Sequence, residues 1–248
     1  MINVGVLGAR GRMGKEVCKA ITASGDLKLV AEIDLGDSLE DLITAKANVV
    51  VDFTHPDSVM KNLEYAIAHD LHLVVGTTGF NERKLDEVSA LLKKAPNVGV
   101  LIAPNFGLGA VLMMQFAAQA SRFFESVEII ELHHPEKADA PSGTSIRTAE
   151  LITQARKDAK RPPMPDKTAS PIEGARGSKV GDVPIHSVRA RGLVAHQEVI
   201  LGDPGETLTI RHDSIDRSGF MPGVLLAIRE VAKRPGLTYG LEHYMKLG

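Results

Sequence analysis

The first hundred residues alternate short apolar runs with stretches whose apolar positions recur every three or four residues. The runs at 2–7, 28–33, 48–53, 72–75 and 98–102 read as strands. The third contains Val49-Val50-Val51-Asp52-Phe53, with no polar alternation. A strand that is apolar on both faces suits a parallel sheet covered on both sides. The helical stretches fall near 14–24, 56–69 and 81–94. The second places Val59, Leu63, Ala66 and Ile67 on one face. Repeated strand–helix–strand units predict right-handed crossovers and a doubly wound, Rossmann-like α/β sheet.

The second half changes rhythm. A strand is predicted over 126–133 and a helix over 144–157. Residues 161–182 are rich in Pro and Gly and read as a long loop. Strands follow at 184–191, 196–201 and 206–212. In the last, Leu208, Ile210 and His212 alternate with polar neighbours, as a half-buried strand requires. This pattern predicts a separate α+β unit with a partly antiparallel, mixed sheet. A final helix over 220–233 carries Val224, Leu225, Ile228 and Val231 on one face, and chain order suggests that it packs back on the first unit.

Composition narrows the function classes. Of 248 residues, 44% are hydrophobic and 24% charged, which is ordinary for a globular protein with a sizeable core. Trp is absent and aromatics make up only 4%, so the base-stacking platforms of a nucleic-acid binder are not expected. A net charge of −2 without a basic run points the same way. The lone Cys18 cannot form an internal disulfide, and its apolar helical neighbours mark it as core rather than nucleophile. No signal-peptide pattern or membrane-length apolar segment is evident, so a soluble, cytoplasmic protein is expected, with no membrane or nucleic-acid partner.

Gly8-Ala9-Arg10-Gly11-Arg12-Met13-Gly14 follows the first strand and opens the first helix. Glycines there permit a tight turn and close backbone approach to a pyrophosphate, and the helix N-terminus offers N–H groups and partial positive charge. The spacing is one residue longer than the common dinucleotide fingerprint, but its place between strand and helix supports that reading. A phosphate-loop NTPase is excluded, because Glu16 stands where Ser or Thr is needed. Asp34 ends the second strand about 20 residues on, where an acidic side chain receives the adenosine ribose of NADH. Arg10 and Arg12 would instead attract the 2′-phosphate of NADPH. These opposed signals predict use of both cofactors.

The most unusual stretch is Glu131-Leu132-His133-His134-Pro135-Glu136-Lys137-Ala138-Asp139-Ala140-Pro141-Ser142-Gly143-Thr144. Two histidines and a lysine stand at a strand end, and a Pro-Ser-Gly-Thr turn leads into a helix. The N–H groups of Gly143 and Thr144, with the Thr144 hydroxyl, form a second anion cradle suited to a carboxylate. Metal binding is not expected. Adjacent strand residues point to opposite faces, and neither a Cys pair nor a His-x-x-x-His motif accompanies them.

The glycine turn, Gly76-Thr77-Thr78-Gly79, Ala103-Pro104-Asn105-Phe106 and the segment from His133 to Thr144 together resemble the 4-hydroxy-tetrahydrodipicolinate reductase (dihydrodipicolinate reductase) family almost end to end. Asp52-Phe53-Thr54-His55-Pro56 and the Arg-His-Asp-Ser-x-x-Arg run at 211–217 also match. The resemblance implies reduction, by NADH or NADPH, of a small cyclic imine bearing two carboxylates, in the diaminopimelate and lysine pathway. It implies that Gly8, Ala9, Arg10, Gly11, Arg12, Met13, Asp34, Gly76, Thr77, Thr78, Ala103, Pro104, Asn105 and Phe106 line the cofactor. It makes His133 the proton donor/acceptor and Lys137 the proton donor, with His134, Gly143 and Thr144 holding the substrate. It also implies a dinucleotide-binding domain at 1–106, a substrate-binding and oligomerisation domain at 107–216, a C-terminal return at 217–248, and a homotetramer.

Two other readings share parts of this pattern. Another two-domain NAD(P) dehydrogenase of amino-acid metabolism would share the glycine turn, but would not by itself explain the His-His-x-x-Lys and Pro-Ser-Gly-Thr run. An acylating member of that class would need a reactive cysteine beyond the cofactor domain, and Cys18 is misplaced for that role. A non-catalytic NAD(H) sensor would carry a DNA-reading helix or basic stripe, and neither is evident.

Overall fold

The five N-terminal apolar runs form strands β1 (Ile2–Leu7), β2 (Leu27–Ile33), β3 (Val49–Asp52), β4 (His72–Val75) and β5 (Gly99–Ile102). The structure is a computed structural model that describes residues 1–246. Among the described residues, a sixth strand, β11 (Gly236–Tyr239), completes a parallel sheet in the order β11-β5-β4-β3-β1-β2. Val49, Val50 and Val51 are fully buried, which is why this run shows no alternation. β11 escapes sequence prediction because it is four half-buried residues with no apolar period.

Helices α1 (Arg12–Thr22), α3 (Val59–Ala68) and α4 (Glu82–Leu92) lie close to their predicted positions. The helix expected from residue 56 starts at Val59, since Pro56 belongs to the preceding turn. A short helix not predicted from sequence, α2 (Glu40–Thr44), lies between β2 and β3. Leu63, Ala66 and Ile67 of α3 join Val88 and Leu92 of α4 in one apolar cluster with the sheet. α7 (Met221–Val231) lies against β3, β4, β5 and α1. Its Val224, Ala227, Ile228 and Val231 are buried, while Leu225 is only half-buried.

The chain divides into two units, one of Met1–Leu108 with the stretch from Arg217 onward, the other Gly109–Asp216. The second unit takes most of α5 (Leu108–Ala120), followed by β6 (Ser126–His133), α6 (Gly143–Asp158), β7 (Ser178–Val180), β8 (Val183–Arg189), β9 (Ala195–Asp203) and β10 (Glu206–Ser214). Its sheet runs β10-β9-β6-β8-β7. β6 and β8 are parallel and the other pairs antiparallel, so the sheet is mixed. The region read as one long loop therefore contains a short strand, β7, paired with β8. The predicted inward face of β10 is only partly covered, with Leu208 left 39% exposed on this edge strand.

Candidate active site

In the first unit the glycine turn is built by close approach. Gly8 has φ +78°, and a Cβ on it would stand 2.5 Å from the Phe53 carbonyl oxygen. A Cβ on Gly14 would stand 2.0 Å from the Gly8 carbonyl oxygen, so the first turn of α1 presses against the loop in a way glycine alone permits. The Gly8 and Ala9 N–H groups donate to Ile33 O at 2.8 and 3.1 Å, which fastens the turn to the end of β2. Gly11 caps α1 without a side-chain hydrogen bond, and the first turn holds no acidic residue. The helix end thus offers backbone N–H groups and its partial positive charge to an anion.

A groove of about 280 Å³ opens there, lined by Gly11, Arg12, Met13, Phe53, Thr54, Pro56, Gly76, Thr77 and Thr78. It lies at the carboxyl ends of β1, β3 and β4, where the strand order reverses, the general ligand position in open α/β sheets. Phe53 shapes its wall. The ring lies so close to Gly76 that a Cβ there would meet it at 2.1 Å. Phe106 tilts against the same ring at 5.7 Å between centroids. Beneath the groove the fully buried Asp52 accepts hydrogen bonds from Thr54 N and Oγ1, Thr77 Oγ1 and Asn62 Nδ2 at 2.7–2.9 Å. This network fixes the threonines that follow β3 and β4.

Asp34 accepts from Arg10 N at 2.7 Å and Leu35 N at 2.8 Å, and these backbone hydrogen bonds lower its pKa. Arg10 is committed in turn, its guanidinium donating to Asp37 at 2.6 Å. Ala9 and Ala103 are buried, so they offer a ligand only backbone. Asn105 Oδ1 accepts from Gly107 N at 2.7 Å, shaping the exit from β5, while Pro104 is exposed. The tight glycine turn, the uncapped helix end and the ionised strand-end Asp34 fit a dinucleotide. Cys18 is buried, and burial together with Glu32 pushes its thiol pKa up to about 12, which removes it as a nucleophile.

In the second unit the strand register assembles a charged cluster. Glu131 and His133 stand two apart on β6 and so share a face. His133 pairs with Arg189 across the β6–β8 ladder, and Glu131 pairs with Ser187. Glu131 is fully buried and takes a forked pair of hydrogen bonds from Arg189, at 2.9 and 2.8 Å. It also accepts from Ser187 and from His133 Nδ1. Burial raises the Glu131 pKa, but these donors outweigh it and the net shift is downward. An ionised carboxylate only accepts, so Nδ1 carries the proton and Nε2 is the other face of the His133 ring. Burial lowers the His133 pKa, and the charges of Lys137 and Arg189 add to that, while Glu131 opposes it.

After the strand the chain turns back, with Lys137 N donating to His134 O at 3.2 Å. Lys137 Nζ donates to Asp139 Oδ1 at 2.6 Å. Burial raises the Asp139 pKa, but Lys137 and backbone hydrogen bonds, including one from Gly143, bring it down overall. Ser142 caps α6, accepting from Ser145 N at 3.2 Å, and Ser145 Oγ donates to Gln197 at 2.6 Å. A Cβ on Gly143 would meet nothing within 4 Å, so there is room beside this residue at the capped start of α6. The structure thus brings His133, Lys137, Gly143 and the Thr144 turn into one neighbourhood, and leaves His134 exposed at the turn. Asp52, Phe53, Thr54, Glu131, Asp139 and Arg189 did not emerge as site residues from sequence. Asp52, Phe53 and Thr54 lay in a stretch matched to the family, and Glu131 and Asp139 in the His-His-x-x-Lys segment, but neither motif gave them a role; Arg189 lay outside every motif.

A dinucleotide groove on a doubly wound sheet, joined in one chain to an inserted unit with a buried carboxylate–histidine–arginine cluster, defines a nicotinamide-dependent oxidoreductase. Comparison with known proteins sharpens the class. The profile described as "Dihydrodipicolinate reductase, N-terminus" matches residues 2–106, and "Dihydrodipicolinate reductase, C-terminus" matches 109–245. The chain is 61% identical over 246 residues to the 4-hydroxy-tetrahydrodipicolinate reductase of Nocardia farcinica, covering 99% of each. It is 57% identical to that of Corynebacterium diphtheriae, again covering 99% of each. Among solved structures it is similar to a dipicolinate-bound dihydrodipicolinate reductase from Paenisporosarcina sp. TG-14, with TM-score 0.87, 37% identity and coverage of 98% and 99%. The chain belongs to the dihydrodipicolinate reductase family. A myo-inositol 2-dehydrogenase from Lactobacillus plantarum, 12% identical with TM-score 0.64, shares the fold alone.

Proposed function

We propose that this chain uses NADH or NADPH to reduce 4-hydroxy-tetrahydrodipicolinate, through its dehydrated form, to tetrahydrodipicolinate in diaminopimelate and lysine biosynthesis. The observation that carries this reading is the cluster at the end of β6. There Lys137 and a Glu131-bound His133 stand near the N-terminus of α6, where Asp139 bridges Lys137 and Gly143.

Gly8, Gly11, Arg12 and Met13 would hold the diphosphate of the dinucleotide, Asp34 its adenosine ribose, and Gly76, Thr77, Thr78 and Phe106 the remainder of the groove. When bound, the reduced nicotinamide supplies a hydride. The substrate is a six-membered cyclic imine with two carboxylates, so the protein must bind acid groups, orient the ring and deliver a proton to carbon. Gly143 and Thr144 offer a carboxylate the backbone N–H groups and partial positive charge of a helix N-terminus. Lys137 adds a point charge. Asp139 sits on both Lys137 and Gly143, so a carboxylate bound by these groups would compete with an internal one.

His133 has its Nδ1 proton committed to Glu131 and presents Nε2, which accepts a hydrogen bond when neutral and donates one when charged. Its lowered pKa favours the neutral ring. Lys137 is then the group that arrives carrying a proton, and His133 accepts, passes on and orients. The same reading makes the protein a cytoplasmic homotetramer. No described helix is long and apolar enough to cross a membrane.

The test is spectrophotometric. Protein, reduced cofactor and freshly generated substrate are mixed, and the nicotinamide absorbance is followed with and without pyridine-2,6-dicarboxylate. Cofactor consumption that the dicarboxylate inhibits is expected. Cofactor binding without consumption would refute the reading.

A further inference from the structure

Glu131 is fully buried on β6, and Arg189 closes β8, 58 residues later. The Arg189 guanidinium bridges two segments, besides donating from Nη1 to the Val188 carbonyl at 2.8 Å. Its Nη1 and Nη2 hold both oxygens of Glu131 at 2.9 and 2.8 Å, and Nη2 also donates to the Asp139 carbonyl at 2.8 Å. Glu131 holds His133, while the Asp139 carboxylate holds Lys137. One planar cation therefore ties the strand carrying His133 to the loop carrying Lys137. Its Nε is buried without a hydrogen-bond partner among the described residues. The guanidinium is thus placed by what its two terminal nitrogens reach, at the expense of satisfying the third.

We infer that Glu131 and Arg189 are positioning residues for the reaction: Glu131 fixes the tautomer and direction of the His133 ring, and Arg189 sets the distance from His133 to Lys137. Neither need touch substrate. The geometry demands these residue types. Only a carboxylate can accept from Nδ1–H while also receiving a forked guanidinium, and only arginine can offer parallel N–H groups to that carboxylate together with a bond to a carbonyl. A lysine at 189 keeps the charge but loses the fork. A glutamine at 131 keeps the shape but removes the charge that favours protonated His133. Facing the His133 ring are Glu131 on its own strand, Arg189 on β8 and Lys137 on the following turn. With Glu131 neutralised, both remaining neighbours oppose protonation of the ring.

This inference rests on the reading of His133 and Lys137 as the reacting pair, and the experiment separates the two. Glu131→Gln, Arg189→Lys and His133→Gln are compared with the unaltered protein by circular dichroism, steady-state kinetics and ¹⁵N NMR of the imidazoles. With folding native, Arg189→Lys and Glu131→Gln are each expected to lower kcat by about ten- to a hundredfold with the cofactor KM little changed. The His133 titration in Glu131→Gln is expected to move to lower pH, and the kinetic pH profile to move with it. A purely structural role would lower stability without moving that titration. Should Arg189→Lys fail to fold, Glu131→Gln still carries the test through the titration. Unchanged kcat and an unmoved His133 titration in Glu131→Gln overturn the inference. Unchanged kcat in Glu131→Gln alongside an inactive His133→Gln also overturns it, leaving the reading of the reacting pair intact. An active His133→Gln overturns that reading itself, and this inference with it.

Discussion

Single side chains decide how the molecule responds to pH. His72 Nδ1 accepts from Gly99 N at 3.0 Å, a bond that requires a bare ring nitrogen, and burial lowers the pKa of His72. Burial lowers His133 and His212 likewise. A histidine whose folded pKa lies below its unfolded value of about 6.5 binds fewer protons when folded. Its contribution is complete above the unfolded value and is lost as pH falls through the folded one. Tm measured by calorimetry should therefore fall between pH 7 and pH 5, and His72→Gln should flatten part of that slope. A Tm that holds or rises toward pH 5 would contradict the assignment. Arg10 supplies a second case, because Asp37 occupies it at 2.6 Å. Asp37→Ala should free the guanidinium for a 2′-phosphate and shift the KM ratio toward NADPH by about two- to fivefold, the worth of an exposed ion pair. A ratio unchanged, or moved toward NADH, would remove Arg10 from cofactor choice. At this scale the glycine turn and the strand-end Asp34 stand out in the sequence as local patterns, and His133 and Lys137 as an unusual motif whose proposed roles come from the family resemblance. Glu131 and Arg189 do not, because their partnership exists only once β6 and β8 pair in register.

Elements were readable where burial imposes a period. The valine run of β3 shows as buried on both faces, and α3 shows its apolar stripe. α5 was missed for the opposite reason. Residues 108–120 are apolar almost all round, so no stripe marks them as helix, although Ala110, Val111, Met113, Met114 and Ala117 are buried. β7 was lost inside a Pro- and Gly-rich stretch whose composition masks three paired residues. Element packing also carries a prediction. Ile228 is fully buried on α7, which rests against β4, β5 and α1. Ile228→Ala removes that contact and leaves a cavity, so unfolding in denaturant should show a loss of about 2–5 kcal/mol. A loss under 1 kcal/mol would mean that α7 is not part of the core.

For the whole molecule, the sequence pattern separated a parallel N-terminal sheet from a mixed sheet further on, and the structure has both. The first unit takes the chain back from Arg217, packing α7 on the sheet and adding β11 to it as an edge strand. The division of labour proposed for the units places cofactor recognition on the first and acid–base chemistry on the second. The proposed homotetramer is checked by light scattering coupled to size exclusion, where the mass of four chains is expected and that of one chain would contradict it. The most direct test of the central claim is Lys137→Ala, measured for kcat on freshly generated substrate and for NADH affinity by calorimetry. The account predicts that kcat falls by about a hundredfold or more while NADH affinity is unchanged. Turnover equal to that of the unaltered protein would contradict it.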